Sequence, residues 1–273
     1  MKFYLLFLLT LQLFAETLPP SFPQEQLSSG GVAKLYFNER PDIFINNKKI
    51  NAFKFKQNEQ WLVLIPLSLY KNIKSLRIVS LTTTRVQAHI IHLDKPNYET
   101  QYINVKNKEF VTASKKTLER IWKDSALKKK NFKRYSKLYS RNLKMIRPLD
   151  SKLRHDFGRR RFFNGVAKNP HAGIDLSGEE GDEIRAPLSG EVIILGNLFY
   201  NGNMLLIDHG KGLITAYSHL SKFSKPNGSW VKQGEVIGEV GSTGRATGPH
   251  LHWSVYLSGE PINPDLFLEV STP

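Results

Sequence analysis

The sequence contains no cysteine among its 273 residues. Without a thiol, the chain can form no disulfide framework, no cysteine-nucleophile active site and no cysteine-ligated metal site. Any metal ion must therefore be bound by histidine, aspartate or glutamate side chains. The chain is long enough, at 40% hydrophobic residues, to build two modest domains with ordinary cores.

Long apolar runs are also scarce, and the run from Phe3 to Phe14 is too short to cross a bilayer comfortably. It follows the positive charge of Lys2 and precedes the small residue Ala15, which is the order of a secretory signal peptide. We expect residues 1–15 to be a signal peptide that is cleaved after Ala15. An uncleaved anchor is the alternative, because Leu13 matches poorly the small residue expected before a cleavage site.

The N-terminal half reads as an extended leader followed by a small β domain. Residues 16–30 contain three prolines and a Ser-Ser-Gly-Gly run, which predict an extended segment. Residues 31–105 contain short runs that alternate apolar with polar side chains between Asn, Lys and Pro residues, and these predict an antiparallel sandwich. The predicted strands are Ala33–Phe37, Ile43–Ile45, Ala52–Phe55, Trp61–Ile65, Leu76–Val79, Val86–Leu93 and Tyr102–Val105.

Positive charge is concentrated in the middle of the chain, since residues 106–161 hold 20 Lys and Arg against 5 Asp and Glu. Within 106–149 we predict a helical connector of one or two helices that ends at Pro148, with its lysines facing water. An anionic cell wall or membrane surface is the expected partner, and a solvated helix face is the alternative. No specific nucleic-acid partner is expected. The helical spacing is carried by Leu118, Ile121, Trp122, Phe132, Tyr135, Leu138 and Tyr139.

The C-terminal segment, residues 150–273, contains runs rich in Val, Ile and Leu that are bounded by Gly, Pro, Asn or Asp. No convincing helical period follows residue 162. The sequence therefore predicts a mainly β protein with a small N-terminal antiparallel β domain, a basic helical connector and a C-terminal all-β domain.

Five side chains of the C-terminal segment are candidates for binding a metal ion or transferring protons. His250 and His252 lie two apart on an extended segment and so share a face. A catalytic zinc site needs three protein ligands, which would leave two side chains for acid–base work. A single histidine is more often structural, and His155 and His209 lie outside the pattern. The five candidates are His171, Asp175, His219, His250 and His252.

These residues occur within a series of motifs that resembles the lysostaphin-like (LytM-type, M23) family of zinc peptidoglycan endopeptidases. The resemblance covers residues 150–273 and is weaker for residues 16–149. Its motifs are Phe157-Gly158-Arg159-Arg160, His171-Ala172-Gly173-Ile174-Asp175-Leu176, Ala186-Pro187-Leu188-Ser189-Gly190, Tyr217-Ser218-His219-Leu220, Gly234-Glu235-Val236-Ile237-Gly238 and Gly241-Ser242-Thr243-Gly244 through to His252-Trp253.

The resemblance implies that one Zn²⁺ ion is bound by His171, Asp175 and His252. It implies that His219 and His250 handle protons or stabilise the transition state. The expected activity is D,D-endopeptidase cleavage of peptidoglycan peptide stems in the periplasm, with D,D-carboxypeptidase activity as a second expectation. The alternative is a non-hydrolytic module that binds peptidoglycan or activates an amidase.

Two stretches near the candidate site remain open to two interpretations. The glycine-rich run 241–248 leads directly to His250 and is either a β-turn or a loop that contacts substrate. Phe162-Phe163-Asn164-Gly165 precedes His171 and could form a further wall of a substrate groove.

Overall fold

The computed structural model describes residues 22–57, 59–137 and 142–269. The predicted signal peptide and the first residues of the predicted leader lie outside the described residues. The protein is mainly β, as predicted, with one α-helix among the described residues. The predicted boundaries between its segments stay predictions.

The N-terminal region folds into two small antiparallel sheets, as expected. Strands β1 (Val32–Phe37), β5 (Gln60–Pro66) and β4 (Phe53–Gln57) form one sheet in the order β1-β5-β4. The second has the order β3-β2-β6-β7, from Lys48–Ile50, Asp42–Ile45, Ser75–Leu81 and Val86–His92. The short strand β3 was not predicted.

Strand β5 joins two hydrophobic cores because its side chains alternate between the faces of its sheet. Val63 and Ile65 pack into the core of the N-terminal sandwich. Leu62 and Leu64 pack into the larger core that also contains Trp253 of the C-terminal region. The N-terminal sandwich is therefore packed directly against the region that carries the candidate site.

The C-terminal region is built on one large antiparallel sheet. Its order is β11 (Ile174–Ser177), β19 (His250–Leu257), β15 (Leu213–Leu220), β14 (Gly202–Gly210), β13 (Gly190–Leu198) and β17 (Trp230–Val231), with β20 (Glu260–Ile262) paired to β19. A smaller sheet contains β12 (Glu183–Arg185), β18 (Val236–Glu239) and β16 (Lys222–Phe223). Apart from a 3₁₀ turn at Pro264–Phe267, no helix occurs between residues 162 and 269.

The last predicted strand of the N-terminal sandwich belongs elsewhere. The observed strand β8 (Thr100–Ile103) pairs in parallel with β9 (Arg160–Phe163), which pairs in turn with β10 (Val166–Ala167). The prediction that Tyr102–Val105 completes the sandwich is therefore wrong, because this pairing depends on residues 60 positions away. The consequence is that a strand from the N-terminal half reaches the candidate site.

The helical connector contains one α-helix, α1 (Lys115–Phe132), and a short 3₁₀ turn at Lys108–Phe110. The Ser114 side chain caps its first turn by accepting a hydrogen bond from the Thr117 backbone N–H. The helix ends at Phe132, whose ring stacks on Tyr256 at 3.7 Å between centroids. The prediction that the helical segment ends at Pro148 is therefore wrong. Tyr135 lies beyond the helix, and Leu138 and Tyr139 lie outside the described residues.

The side of α1 that faces the protein is more polar than predicted. Trp122 remains 65% exposed, so it does not pack on a neighbouring domain. Lys128 instead turns inward and donates to Asn201 Oδ1 at 2.8 Å, which corrects the expectation that the lysines face water. Lys129 and Lys130 are exposed, as expected. Within the described ranges, α1 and the 3₁₀ turns lack the length and apolar character needed to span a membrane.

Candidate metal and catalytic site

The adjacent strands β11 and β19 bring Asp175, His250 and His252 together. Asp175 on β11 is the direct cross-strand partner of His252 on β19. His171 lies just before β11, and His250 lies two residues before His252 on the same strand face. A side chain at Gly173 would place its Cβ 2.4 Å from the Trp253 carbonyl oxygen and 3.0 Å from the His252 ring. The glycine thus lets this segment approach β19 closely.

Three ligand-type atoms converge on one point. His171 Nε2 lies 3.1 Å from Asp175 Oδ1 and 2.9 Å from His252 Nδ1, and the last two atoms are 2.9 Å apart. These three residues also form the single group of potential metal-binding side chains within the described ranges. One carboxylate and two imidazoles are a common donor set for zinc.

The other polar atom of each of these side chains is already hydrogen-bonded. His171 Nδ1 lies 3.0 Å from the Asp156 carbonyl oxygen, which can only accept, so this nitrogen carries the proton and Nε2 is bare. His252 Nε2 contacts Ser254 Oγ at 2.9 Å. Such partners fix the tautomer and orientation of a metal-binding imidazole. The three side chains therefore fit a cation between them.

Asp156 and Arg161 support two of these side chains from behind. Asp156 Oδ1 accepts the backbone N–H of Asp175 at 3.1 Å. Arg161 donates from Nη2 to Asp175 Oδ2 at 2.7 Å, which leaves Oδ1 directed at the histidines. Arg161 Nε in turn donates to Gln101 Oε1 on β8 at 3.1 Å. A strand from the N-terminal half is thus linked through one arginine to a predicted metal ligand.

His219 and His250 lie side by side next to the three converging atoms. Their ring centroids are 4.7 Å apart, and His250 Nε2 is 4.0 Å from Asp175 Oδ1. Each Nδ1 contacts a backbone carbonyl oxygen, of Thr243 at 2.7 Å and of Gly248 at 2.8 Å, so the neutral ring bears its proton there. Both Nε2 atoms are then free to accept a proton.

The backbone of His219 adopts φ 69°, a left-handed conformation that is uncommon for a residue other than glycine. The pairing of β14 and β15 is irregular at this point, where the register shifts between Asn203 and Leu205. Irregularities of this kind reorient side chains at active sites. The turn is secured by the His219 N–H, which donates to the Asn201 carbonyl oxygen at 2.8 Å.

Burial dominates the electrostatics of the site. It lowers the pKa of His219 to about 3, assisted by the nearby His250 and His252. It also lowers the pKa of His252 to about 4. Burial alone would raise the pKa of Asp175, but the charges and hydrogen bonds of His171 and His252 hold that pKa well below its usual value. At neutral pH the His252 ring is therefore neutral and the Asp175 carboxylate is charged, which are the forms that bind a metal ion.

The site opens into a cleft of about 330 Å³. Phe163 forms part of its wall, as the sequence suggested for residues 162–165, and Arg245, Thr247 and Gly248 of the glycine-rich run form another part. The remaining lining residues are Gln101, Ile103, Arg154, Arg161, Asp175, Tyr200, Asn201, His219, Pro249, His250 and His252.

Several residues of the cleft come from outside the histidine motifs and were not predicted from the sequence. Gln101, Tyr200 and Asn201 carry no sequence signal, because only tertiary pairing brings their segments to the cleft. Arg161 directly follows the Phe-Gly-Arg-Arg motif, so its position could have been suspected. His155 and His209 lie outside the site, as expected, bonded to Asp265 and to Ser189 with Thr215.

The comparisons with known proteins concern mainly the C-terminal region. A sequence profile of peptidase family M23 matches residues 169–264. "DD-carboxypeptidase/endopeptidase Mpg" of Neisseria gonorrhoeae is 47% identical over 94 residues, which are 34% of this chain and 22% of that protein. "Peptidoglycan DD-endopeptidase ShyA" of Vibrio cholerae is 40% identical over 120 residues, 42% of this chain and 28% of that protein. The chain thus spans less than a third of these relatives.

The likeness to a solved structure is more extensive. A crystal structure of a candidate M23 peptidase from Pseudomonas aeruginosa matches 89% of this chain and 95% of its own, with a TM-score of 0.70 and 27% identity. A match of this extent reaches beyond the C-terminal region into the N-terminal half of the chain.

Proposed function

We propose that this chain, whose residues 169–264 match peptidase family M23, is a zinc-dependent D,D-endopeptidase of peptidoglycan crosslinks. The observation that carries the proposal is the convergence of His171, Asp175 and His252 within 3.1 Å, beside two further histidines. The substrate class is supported by the similarity to Mpg and ShyA, whose names specify D,D-peptide bonds. D,D-carboxypeptidase activity on terminal D-alanine is proposed as a second activity of the same site.

His171, Asp175 and His252 would hold the zinc ion. When bound, zinc supplies Lewis-acid chemistry that polarises the scissile carbonyl group and activates water for hydrolysis. The residues around it would keep this donor set in its binding form. Arg161 donates a hydrogen bond to Asp175 Oδ2, which leaves Oδ1 for the metal. The Asp156 carbonyl oxygen accepts from His171 Nδ1, which leaves Nε2 for the metal.

His219 and His250 would transfer the protons. Each carries its proton on Nδ1, so Nε2 is the atom that accepts a proton or returns it to the departing amine. His250 is the less buried of the two rings, and we propose that the pair shares proton acceptance and proton return.

A digest of purified peptidoglycan tests the proposal. The purified protein should convert dimeric muropeptides to monomers, a chelator should stop the reaction, and added zinc should restore it. Persistence of dimers with release of free stem peptides or bare glycan would show an amidase instead. Binding to sacculi without any cleavage would support the non-hydrolytic module that was the alternative.

We also propose that the protein acts in the periplasm after export. The support is the charged start and the apolar run from Phe3 to Phe14. Cell fractionation and N-terminal sequencing of the mature protein should find it in the periplasm, beginning at Glu16. An N-terminus that retains Met1 in a membrane fraction would support the anchor.

A further inference from the structure

The cleft contains an arginine, Arg245, that is held between two aromatic rings. Its guanidinium carbon lies 4.1 Å from the ring centroid of Phe163 and 4.6 Å from that of Tyr200. Phe163 ends β9 and Tyr200 lies between β13 and β14, so two separate segments fix this side chain. Contacts over the ring faces leave the N–H groups, which lie in the guanidinium plane, free to bind a planar acceptor.

Among the residues that the structure describes, most of the hydrogen-bonding capacity of Arg245 is unused. A guanidinium group has five N–H donors, and one of them is bonded within these residues, from Nη1 to the Phe110 carbonyl oxygen at 3.4 Å. Within the described part of the chain, Arg245 forms no ion pair with a carboxylate. Burial lowers its pKa to about 10, so the group is still charged at neutral pH.

The charge around Arg245 is positive. Arg154 and Arg161 also line the cleft, whereas Asp175 is the one acidic side chain among its lining residues. Asp175 already pairs with Arg161 at 2.7 Å, so it does not neutralise Arg245. Arg245 is half-buried, and partial burial of a cation without a counterion has a cost that a bound anion would reduce.

We propose that Arg245 binds a carboxylate of the substrate, namely the one on the residue whose nitrogen is released by cleavage. This inference rests on the proposed function. In a D-alanyl-diaminopimelate crosslink, that residue carries a carboxylate on the carbon next to the scissile nitrogen. The terminal D-alanine of an uncrosslinked pentapeptide carries a carboxylate at the same place. One arginine would therefore bind the carboxylate that both proposed substrates carry next to the scissile nitrogen.

The test compares two stem pentapeptides that end in D-Ala-D-Ala, one with a free C-terminal carboxylate and one with a C-terminal amide. Wild-type protein should cleave the free acid with a kcat/KM about 10- to 100-fold higher, the range expected for a charge-assisted hydrogen bond. Arg245→Gln should lose that preference, because it should slow cleavage of the acid far more than cleavage of the amide. Arg245→Lys should retain part of the preference, because it keeps the charge and loses the planar fork.

The matched control is Arg185→Gln, which removes the same charge from an exposed arginine that pairs with Glu183 outside the cleft. It should keep the full preference for the free acid. Zinc content and melting temperature of the Arg245 variants should equal those of wild type.

The outcomes separate this inference from the proposed function. Suppose that wild-type protein cleaves dimeric muropeptides and also cleaves the acid and the amide equally well. The proposed function would then stand, and the role of Arg245 would be overturned without any variant. Equal loss of both substrates in Arg245→Gln would also overturn it, since the arginine would then serve only to hold the cleft wall. If wild-type protein cleaves neither dimers nor pentapeptides, the proposed function itself fails.

Discussion

Replacing Gln101 by alanine should weaken zinc binding although Gln101 does not touch the predicted ligands. Its Oε1 accepts from Arg161 Nε at 3.1 Å, and Arg161 holds Asp175 Oδ2 at 2.7 Å. The substitution changes no charge, so any effect on the metal must come from the orientation of Arg161 and Asp175. It tests whether the N-terminal half of the chain contributes to the metal site.

The size of the effect follows from the contact. A hydrogen bond to a charged group contributes about 1.5–3 kcal/mol, and partial exposure of Gln101 places this one at the low end. Since about 1.4 kcal/mol corresponds to a factor of ten, the zinc dissociation constant should rise roughly tenfold. This agrees with the roughly 10- to 100-fold losses typical when the hydrogen-bond partners of metal ligands are removed.

Zinc affinity would be measured at neutral pH by competition with a chromophoric chelator. Gln101→Glu keeps the acceptor oxygen and should retain the wild-type affinity, which distinguishes orientation from general loss of packing. Tyr102→Ala removes the 76% exposed neighbouring side chain of the same strand and should have no effect. A folded Gln101→Ala protein with wild-type zinc affinity would refute the reasoning.

Three further predictions concern the site, the core and the helix. Alanine at any predicted ligand, His171, Asp175 or His252, should abolish zinc binding and cleavage. His219→Ala and His250→Ala should instead keep zinc and lose most turnover. Metal analysis measures the zinc content, and muropeptide digests measure the turnover. Burial lowers the pKa of His209 to about 4, against 6.5 in the unfolded chain, so the unfolded state binds more protons between these pH values. The free energy of unfolding should therefore fall by about 3 kcal/mol as the pH drops from 6.5 to 4. Chemical denaturation at several pH values should show this loss in the wild type and not in His209→Gln. Neutralising Lys129 and Lys130 should lower sacculus binding at low salt without changing turnover of a short peptide, and unchanged pull-down would mean a solvated face.

The two-residue period of the C-terminal motif was enough to predict that His250 and His252 share a strand face. The sequence could not reveal that Asp175 is the cross-strand partner of His252, because that register depends on packing between segments 77 residues apart. The motif resemblance supplied the assignment of Asp175 instead. The support from Gln101 could not be predicted for the same reason, since β8 reaches β9 through a long-range parallel pairing.

The end of the helix was predicted wrongly for a physical reason that local periodicity does not contain. Tyr135 continues the helical spacing of the apolar residues, but the chain beyond Phe132 is held by Asp208 of β14. Arg134 pairs with this buried carboxylate at 2.8 Å, and Ser136 Oγ donates to it at 3.0 Å. Two contacts to a residue more than 70 positions away thus outweigh the local preference for another turn of helix.

The basic helix also contributes directly to the shape of the cleft. Arg120 donates to the Asn197 carbonyl oxygen at 3.0 Å, Asp124 accepts the Phe199 N–H at 2.7 Å, and Lys128 donates to Asn201 Oδ1 at 2.8 Å. Successive contacts are four residues apart along the helix and two residues apart along the partner segment, residues 197–201. Four residues of helix rise about 6 Å and two residues of extended chain about 6.6 Å, so the two repeats stay in step.

This match means that α1 runs alongside residues 197–201 and holds every second one of them. The last of them, Asn201, donates to Ser218 Oγ at 3.0 Å, and its carbonyl accepts the N–H of His219. The contacts made by α1 therefore continue into the strained turn that aims His219 at the site. Two cations of the connector, Arg120 and Lys128, thus hold the cleft wall, whereas Lys129 and Lys130 are exposed and can contact a partner.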